Sequence, residues 1–295
     1  MRVGVVTPVL NGQDWIHETV ASVLRSMNQA PDSVELTYIV QDGGSTDATV
    51  YRAHEAIDSH ASNRCDVVVV SESDEGLYDA IARGFAEIGR RGGADWYAYL
   101  NAGDLWSTNC LSVLQRADSE SRIDWLMGLH AYFGPDGTLV HTRLPFRYRQ
   151  SLLRHGVYGR GLPTVQQEST FWRGTLHARI DIERLPGFRL AGDAYLWWSL
   201  AQYSEPHIVE ALLGGFRYHG GHLGVSKSDY EAEVESFAGA IPLAIRTRIP
   251  AERALWEQPA RLKARFNPRL LKFETATHSW ATSDHSLRLL AGSHG

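Results

Sequence analysis

Asp95-Trp96-Tyr97-Ala98-Tyr99-Leu100-Asn101-Ala102-Gly103-Asp104 reads as a buried strand that runs into a turn and ends on a carboxylate. In an open α/β sheet, ligands bind beyond the carboxyl ends of the strands. Asp104 therefore stands where chemistry is expected. A carboxylate there can hold a divalent cation such as Mg²⁺ against phosphate oxygens. Asn, Gly and Asp are also ordinary turn formers, so the segment takes its meaning from what else reaches the same edge.

Upstream, strand and helix patterns alternate. Val3–Thr7, Val34–Val40 and Asp66–Val70 are apolar, β-branched runs, and Trp96–Leu100 is the fourth of the set. Between them, Trp15–Met27, a stretch capped by Ser45 or Thr46 and running to Ile57, and Gly76–Ile88 have helical spacing; Thr108–Arg116 follows as a short helix. This alternation predicts a mostly parallel sheet with helices on both faces. Polar clusters fall at all four strand ends: Thr7–Asn11, Asp42–Asp47, Glu72–Asp79 and Asn101–Asp104. Neither GxGxxG nor GxxxxGK[ST] is present, which argues against a dinucleotide fingerprint and a P-loop.

Beyond Asp124 the pattern changes. Trp125–Phe133 and Thr138–Thr142 read as a hairpin around Gly134-Pro135-Asp136-Gly137, and Phe146–Gly161 as a short helix and loop. Gln167–Trp172 and His207–Leu213 read as strands, Gly192–Gln202 as a helix, and Gly214–Gly224 as a glycine-rich loop. From Ser226 the reading is helical, broken at Pro250 and Pro259. Arg246–Lys272 mixes basic and apolar residues. Such a stretch either packs on its own domain or a partner subunit, as in a homodimer, or lies on an anionic membrane face.

Composition sets the outer limits. The chain has 295 residues, 43% hydrophobic and 21% charged, which suits a globular protein with a real core. A net charge of −5 gives no electrostatic footprint for nucleic acid. Cys65 and Cys110 have no metal-ligand or redox spacing, so they read as reduced thiols. No run reaches the ~18 apolar residues of a membrane span. Met1–Pro8 lacks a cleavage-site pattern, so the expected location is the cytoplasm, with peripheral contact at the inner membrane face left open.

The ordered segments together resemble glycosyltransferase family 2, the inverting nucleotide-sugar enzymes of GT-A fold. They are Thr7–Asn11, Gln41–Thr49, Glu72–Ala80, Leu100–Asp104, Gln167–Arg173, Ala191–Leu196 and Phe216–His219. The resemblance implies a GT-A catalytic domain over residues 1–226, with a nucleotide-binding half (1–130) and an acceptor half (131–226). A helical extension would occupy 227–295. It also implies a UDP, GDP or dTDP sugar donor, a saccharide, glycolipid or other hydroxyl acceptor, and Mg²⁺ or Mn²⁺.

Roles follow residue by residue. Thr7, Val9 and Asn11 would line the nucleotide pocket and Asp42 would meet the base. Asp74 and Arg83 would face the ribose or diphosphate, beside Asn101 and Ala102 of the turn. Asp104 would be the last position of the DxD-type metal site, with His219 as a metal ligand or diphosphate contact. Asp193 would be the base that takes the acceptor proton. Glu168, Trp172 and Tyr195 would stand on the acceptor side. The chain departs from the family pattern in five places: DxD reads Asn101-Ala102-Gly103-Asp104, the second Asp after strand two is Gly43, the Asn expected after Asp79 is Ala82, His-Gln reads Gln167-Glu168, and Tyr195 replaces the second acidic residue of the base segment. Two alternatives stay open. One is a non-catalytic sugar-nucleotide or partner-binding module. The other is a nucleotidyltransferase, although Thr7–Gly12 has no Lys or Arg.

Overall fold

Strand β1 (Arg2–Val9) lies at the heart of the molecule and is buried from Val3 onward. Its side chains alternate between two cores, as a strand with helices on both faces requires. Val3, Val5 and Val9 pack toward helix α1 (Ile16–Gln29), whereas Val6 packs toward helix α3 (Leu77–Arg90). Helix α3 can approach this closely because Gly84 faces Val6: a Cβ at Gly84 would sit 2.4 Å from Val6 Cγ1.

The computed structural model describes residues 1–120, 122–218, 226–274 and 279–282. Strands β2 (Glu35–Asp42), β3 (Cys65–Ser71) and β4 (Trp96–Tyr99) join β1 in parallel. Helices α2 (Thr49–His60) and α3 link them, and α4 (Cys110–Asp118) follows the two-residue strand β5 (Leu105–Trp106). The second half adds β6 (Trp125–Met127), β7 (His130–Phe133), β8 (Leu139–Arg143), α5 (Gln150–Leu153), β9 (Thr170–Arg173), α6 (Gly174–His177), α7 (Gly192–Ala201), β10 (His207–Val209) and β11 (Gly214–Arg217). Helices α8 (Lys227–Ala238), α9 (Leu243–Arg246), α10 (Ile249–Trp256) and α11 (Ala260–Arg265) come next, then β12 (Leu270–Glu274) and β13 (Ser279–Thr282).

The main sheet has nine strands in the order β13-β12-β10-β6-β9-β4-β1-β2-β3, and a four-stranded sheet runs β5-β11-β7-β8. In the main sheet only β9 and β13 oppose the common direction, so the sheet is mostly parallel as expected. Consequently the turns after β1, β2, β3 and β4 open at one edge, and β5 and β11 cross there.

Several local expectations change. The run Trp125–Phe133 is not one strand: it divides at Gly128 between the two sheets. A Cβ on Gly128 would meet Leu213 Cγ at 2.8 Å and Ala211 O at 3.0 Å, so glycine permits the crossing. Helix α2 starts at Thr49 rather than after Ser45 or Thr46. Gly214–Arg217, expected within a loop, is strand β11. The C-terminal stretch is helical to Arg265 and then returns β12 to the main sheet, parallel to β10.

Arg246–Lys272 packs on its own chain through buried Trp256, Leu270 and Leu271, and through Lys263, which donates to Leu144 O at 3.0 Å. Among the described residues, no helix is long and apolar enough to cross a membrane.

Candidate active site

One side of the edge is a set of interlocked turns. Asn11 has φ +48°, a conformation Asn tolerates better than most residues. It cross-links two strand ends: its N–H donates to Ser45 Oγ at 2.7 Å and its Oδ1 accepts from Thr46 N at 3.0 Å. Asp42 is fully buried; its carboxylate accepts from Ser45 N at 3.0 Å, from Ser71 Oγ at 2.6 Å and from Ser45 Oγ. Asp74 stands directly over Gly43, since a Cβ there would lie 2.7 Å from Asp74 Oδ2. Burial raises the Asp74 carboxyl above its ordinary range, with Asp79 and Asp42 adding to the effect against Arg83 and a Gly76 N–H. Arg83 pairs with Asp79 at 2.7 Å and Glu72 at 3.3 Å, and donates to Ser73 O at 3.1 Å.

The turn after β4 is held from below by helix α1. Thr19 Oγ1 accepts from Gly103 N and donates to Asp104 O, each at 2.9 Å. Ser22 Oγ accepts from Trp106 N at 3.1 Å, and Ser26 Oγ from Leu111 N at 3.0 Å. Asp104 is thereby fixed with only 4% of its surface exposed. Its Oδ1 accepts from Arg217 N at 3.0 Å and its Oδ2 from Gln167 Nε2 at 3.3 Å.

Glu168 lies against Asp104, close enough to hydrogen bond with it. Burial pushes both carboxyls up. Glu168 rises to about 7; Asp104 rises well above its usual range, with the Glu168 charge adding to burial. Three buried oxygens on these segments lack a hydrogen-bond partner among the described residues: Asn101 Oδ1, Gln167 Oε1 and Glu168 Oε2. Two adjacent carboxylates with spare oxygens suit a hard divalent cation, which typically takes one or two carboxylates and completes its shell with phosphate and water. No group of three or more His, Cys, Asp and Glu forms a closed metal cage among the described residues.

Asp193 enters from the first turn of α7, where its Oδ1 accepts from Ala194 N at 2.6 Å. Burial pushes its carboxyl up to about 6, and Glu233 of α8 acts in the same direction. Glu233 also accepts from Leu190 N and Ala191 N, both at 2.9 Å, and so holds the chain that leads into Asp193. Tyr78 presses on the neighbouring Gly192, where a Cβ would fall 2.4 Å from its ring. Burial pushes the Tyr99 phenol well up, and the charges of Asp193, Glu168 and Asp104 act in the same direction.

The sequence profile described as Glycosyl transferase family 2 matches residues 4–173, more than half of the chain. The chain belongs to glycosyl transferase family 2. Its fold is also that of solved structures. S. aureus TarS superposes with TM-score 0.59 at 15% identity, over 86% of this chain and 43% of that one. TarS 1-349 in complex with UDP-GlcNAc gives TM-score 0.58 at 16% identity, over 86% of this chain and 72% of that one. TarS 1-349 in complex with UDP gives TM-score 0.58 at 14% identity, over 90% and 78%. The chain thus spans less than half of the longer TarS chain it matches. No curated protein matches it.

In this family 2 chain, the expected residues divide into three groups. Asn11, Asp74, Asn101, Ala102 and Asp104 sit at the common edge, Glu168 lies beside Asp104, and Asp193 stands at the start of α7. Thr7 and Asp42 are fully buried; Thr7 Oγ1 is engaged with Tyr38 Oη at 2.8 Å, and Val9 packs in the α1 core. Arg83 is taken up by the Glu72–Asp79 turn. Trp172 and Tyr195 are corrected to core residues. Trp172 is fully enclosed with its Nε1 on His177, while Tyr195 stacks on Phe188 and donates to Asp181 O, so neither ring leaves a face for a sugar. His219 lies outside the described residues.

Sequence reasoning missed Thr19, Tyr78, Tyr99, Gln167, Arg217 and Glu233. Thr19, Ser22 and Ser26 did carry a signal, a small hydroxyl stripe at helical spacing on the buried face of α1.

Proposed function

We propose that this chain transfers a sugar from a nucleoside-diphosphate sugar to a hydroxyl of a saccharide or glycoconjugate acceptor, with inversion at the anomeric carbon. The observation that supports the reading best is the buried Asp104 carboxylate, fixed by Arg217 N and Gln167 Nε2 at the edge where four parallel strands end, with unpartnered oxygens of Asn101, Gln167 and Glu168 on the same segments. Asp104 and Glu168 would hold Mg²⁺ or Mn²⁺, which when bound supplies charge neutralisation for the departing diphosphate. Asp193 accepts the proton of the acceptor hydroxyl as its oxygen bonds to the anomeric carbon and the bond to the diphosphate breaks. An attack opposite the leaving group inverts the centre. Asn11 and Asp74 line the nucleoside side, and the buried Asp42 supports them by fixing the Ser45 and Ser71 turns. The TarS complexes with UDP-GlcNAc and UDP support a uridine donor ahead of GDP and dTDP sugars.

The test is release of nucleoside diphosphate from UDP-, GDP- and dTDP-sugars with Mn²⁺. Turnover of one donor, lost in Asp104→Asn, is expected. Tight nucleotide binding with no turnover across donors and acceptors would instead make the chain a binding module.

A further inference from the structure

We propose that the outer face of the four-stranded sheet, centred on Tyr218 and backed by Tyr132 and Phe216, is a saccharide subsite that presents the acceptor to the Glu168–Asp193 side of the edge. The proposal deepens the glycosyl-transfer reading and rests on it. Phe216 and Tyr218 are two residues apart along one extended segment and so share a face, and Tyr132 is the parallel partner of Phe216 on β7. The rings meet there: Tyr132 and Tyr218 stack with centroids 5.7 Å apart and planes 16° apart, and Phe216 meets Tyr218 edge-on at 5.4 Å. His141, the antiparallel partner of Tyr132, extends the surface at 5.9 Å.

Tyr218 is 50% exposed, a large aromatic left open beside buried carboxylates. Its position is tied to them. The residue before it, Arg217, donates its N–H to Asp104 Oδ1, and Tyr218 N donates to Phe133 O at 2.9 Å. Strand β7 is pinned to the Glu168 turn by Gln166, whose side chain bonds both Ala131 N and Ala131 O, at 2.8 and 2.7 Å. Gly214 of β11 lies so close to Glu168 that a Cβ would be 2.3 Å from its carbonyl oxygen. A flat aromatic face matches the C–H surface of a pyranose ring, and the hydroxyls of Tyr132 and Tyr218 with the His141 imidazole supply hydrogen bonds around it. An apolar peptide would match the rings but leave those polar tips unused, so the chemistry favours a sugar.

The test uses saturation-transfer NMR on the whole chain with maltotetraose, cellotetraose, laminaritetraose and chitotetraose as probes, alongside UDP titration with Mn²⁺. At least one tetrasaccharide is expected to bind. Tyr218→Ala should weaken that binding about tenfold, as loss of an aromatic stack does, while Tyr218→Phe keeps it. UDP binding should be the same in all three proteins. Failure of all four probes, or equal binding by Tyr218→Ala, overturns the subsite while leaving the donor reading intact. Absence of UDP binding in the unaltered chain would strike the donor reading instead.

Discussion

Two carboxylates absent from the sequence motifs are supplied in space by residues of other segments. Gly43 leaves room that the Asp74 carboxylate fills, and beside Asp104, where the DxD pattern is shortened, lies the Glu168 carboxyl. A linear reading finds Asp104 and Asp193 because each belongs to a local pattern. It has no means of pairing residue 104 with residue 168, whose approach depends on β9, β11 and the Gln167–Ser169 turn. The same blindness put Trp172 and Tyr195 at the acceptor, since an aromatic side chain looks alike in sequence whether it packs or binds.

At this scale Asp193→Asn should lower transfer by about 10²–10⁴-fold, the usual worth of a positioned base, with UDP binding unchanged. Transfer by the unaltered chain should fall on the acid side through about pH 6, as Asp193 takes up its proton. A pH profile of kcat checks the limb, and full activity in Asp193→Asn removes the assignment.

Elements were legible wherever hydrophobic period and turn chemistry agreed. The four parallel strands and α1, α3 and α7 lie within a few residues of their expected bounds. Errors came where a single residue decides between continuations. Gly128 ends β6 and starts the crossing to β7, and Asp47 delays α2 because its Oδ1 accepts from Thr49 N at 2.9 Å, after Ser45 has turned to Asp42. Strands β11 and β12 escaped because glycine content and basic charge masked short extended runs whose partners lie far away in sequence.

Helix α8 offers a test of coupling between elements. Glu233→Ala leaves Leu190 N and Ala191 N without their acceptor, and is expected to lower kcat more than it alters UDP binding. Gly192→Ala forces a methyl against the Tyr78 ring and should destabilise the fold by about 1–3 kcal/mol, the usual cost of overpacking. Thermal unfolding of the two variants separates these effects.

For the whole molecule, the raised carboxyls make stability depend on pH. Glu168 moves from 4.5 to about 7 and Asp193 from 3.8 to about 6, so the folded chain holds more protons than the unfolded one between those values. Their contribution is present at low pH and is lost as pH rises through the folded values. Buried His130, His177 and His207, each lowered to about 4, act in the opposite sense, losing stability as pH falls from 6.5. The two trends offset each other, so the informative comparison is with Glu168→Gln. Without metal that variant should gain stability relative to the unaltered chain as pH rises from 5 to 8, reaching about 2–4 °C in Tm. An unchanged difference across that range would show that Glu168 is not a strained charge.

The most direct measurement is calorimetric titration of UDP with and without Mn²⁺, for the unaltered chain, Asp104→Asn and Glu168→Gln. If the two carboxylates together make the donor's metal station, Mn²⁺ should tighten UDP binding about tenfold or more, on the order of 1.4 kcal/mol, in the unaltered chain alone. The same Mn²⁺ gain in Glu168→Gln would contradict the pairing of Asp104 with Glu168.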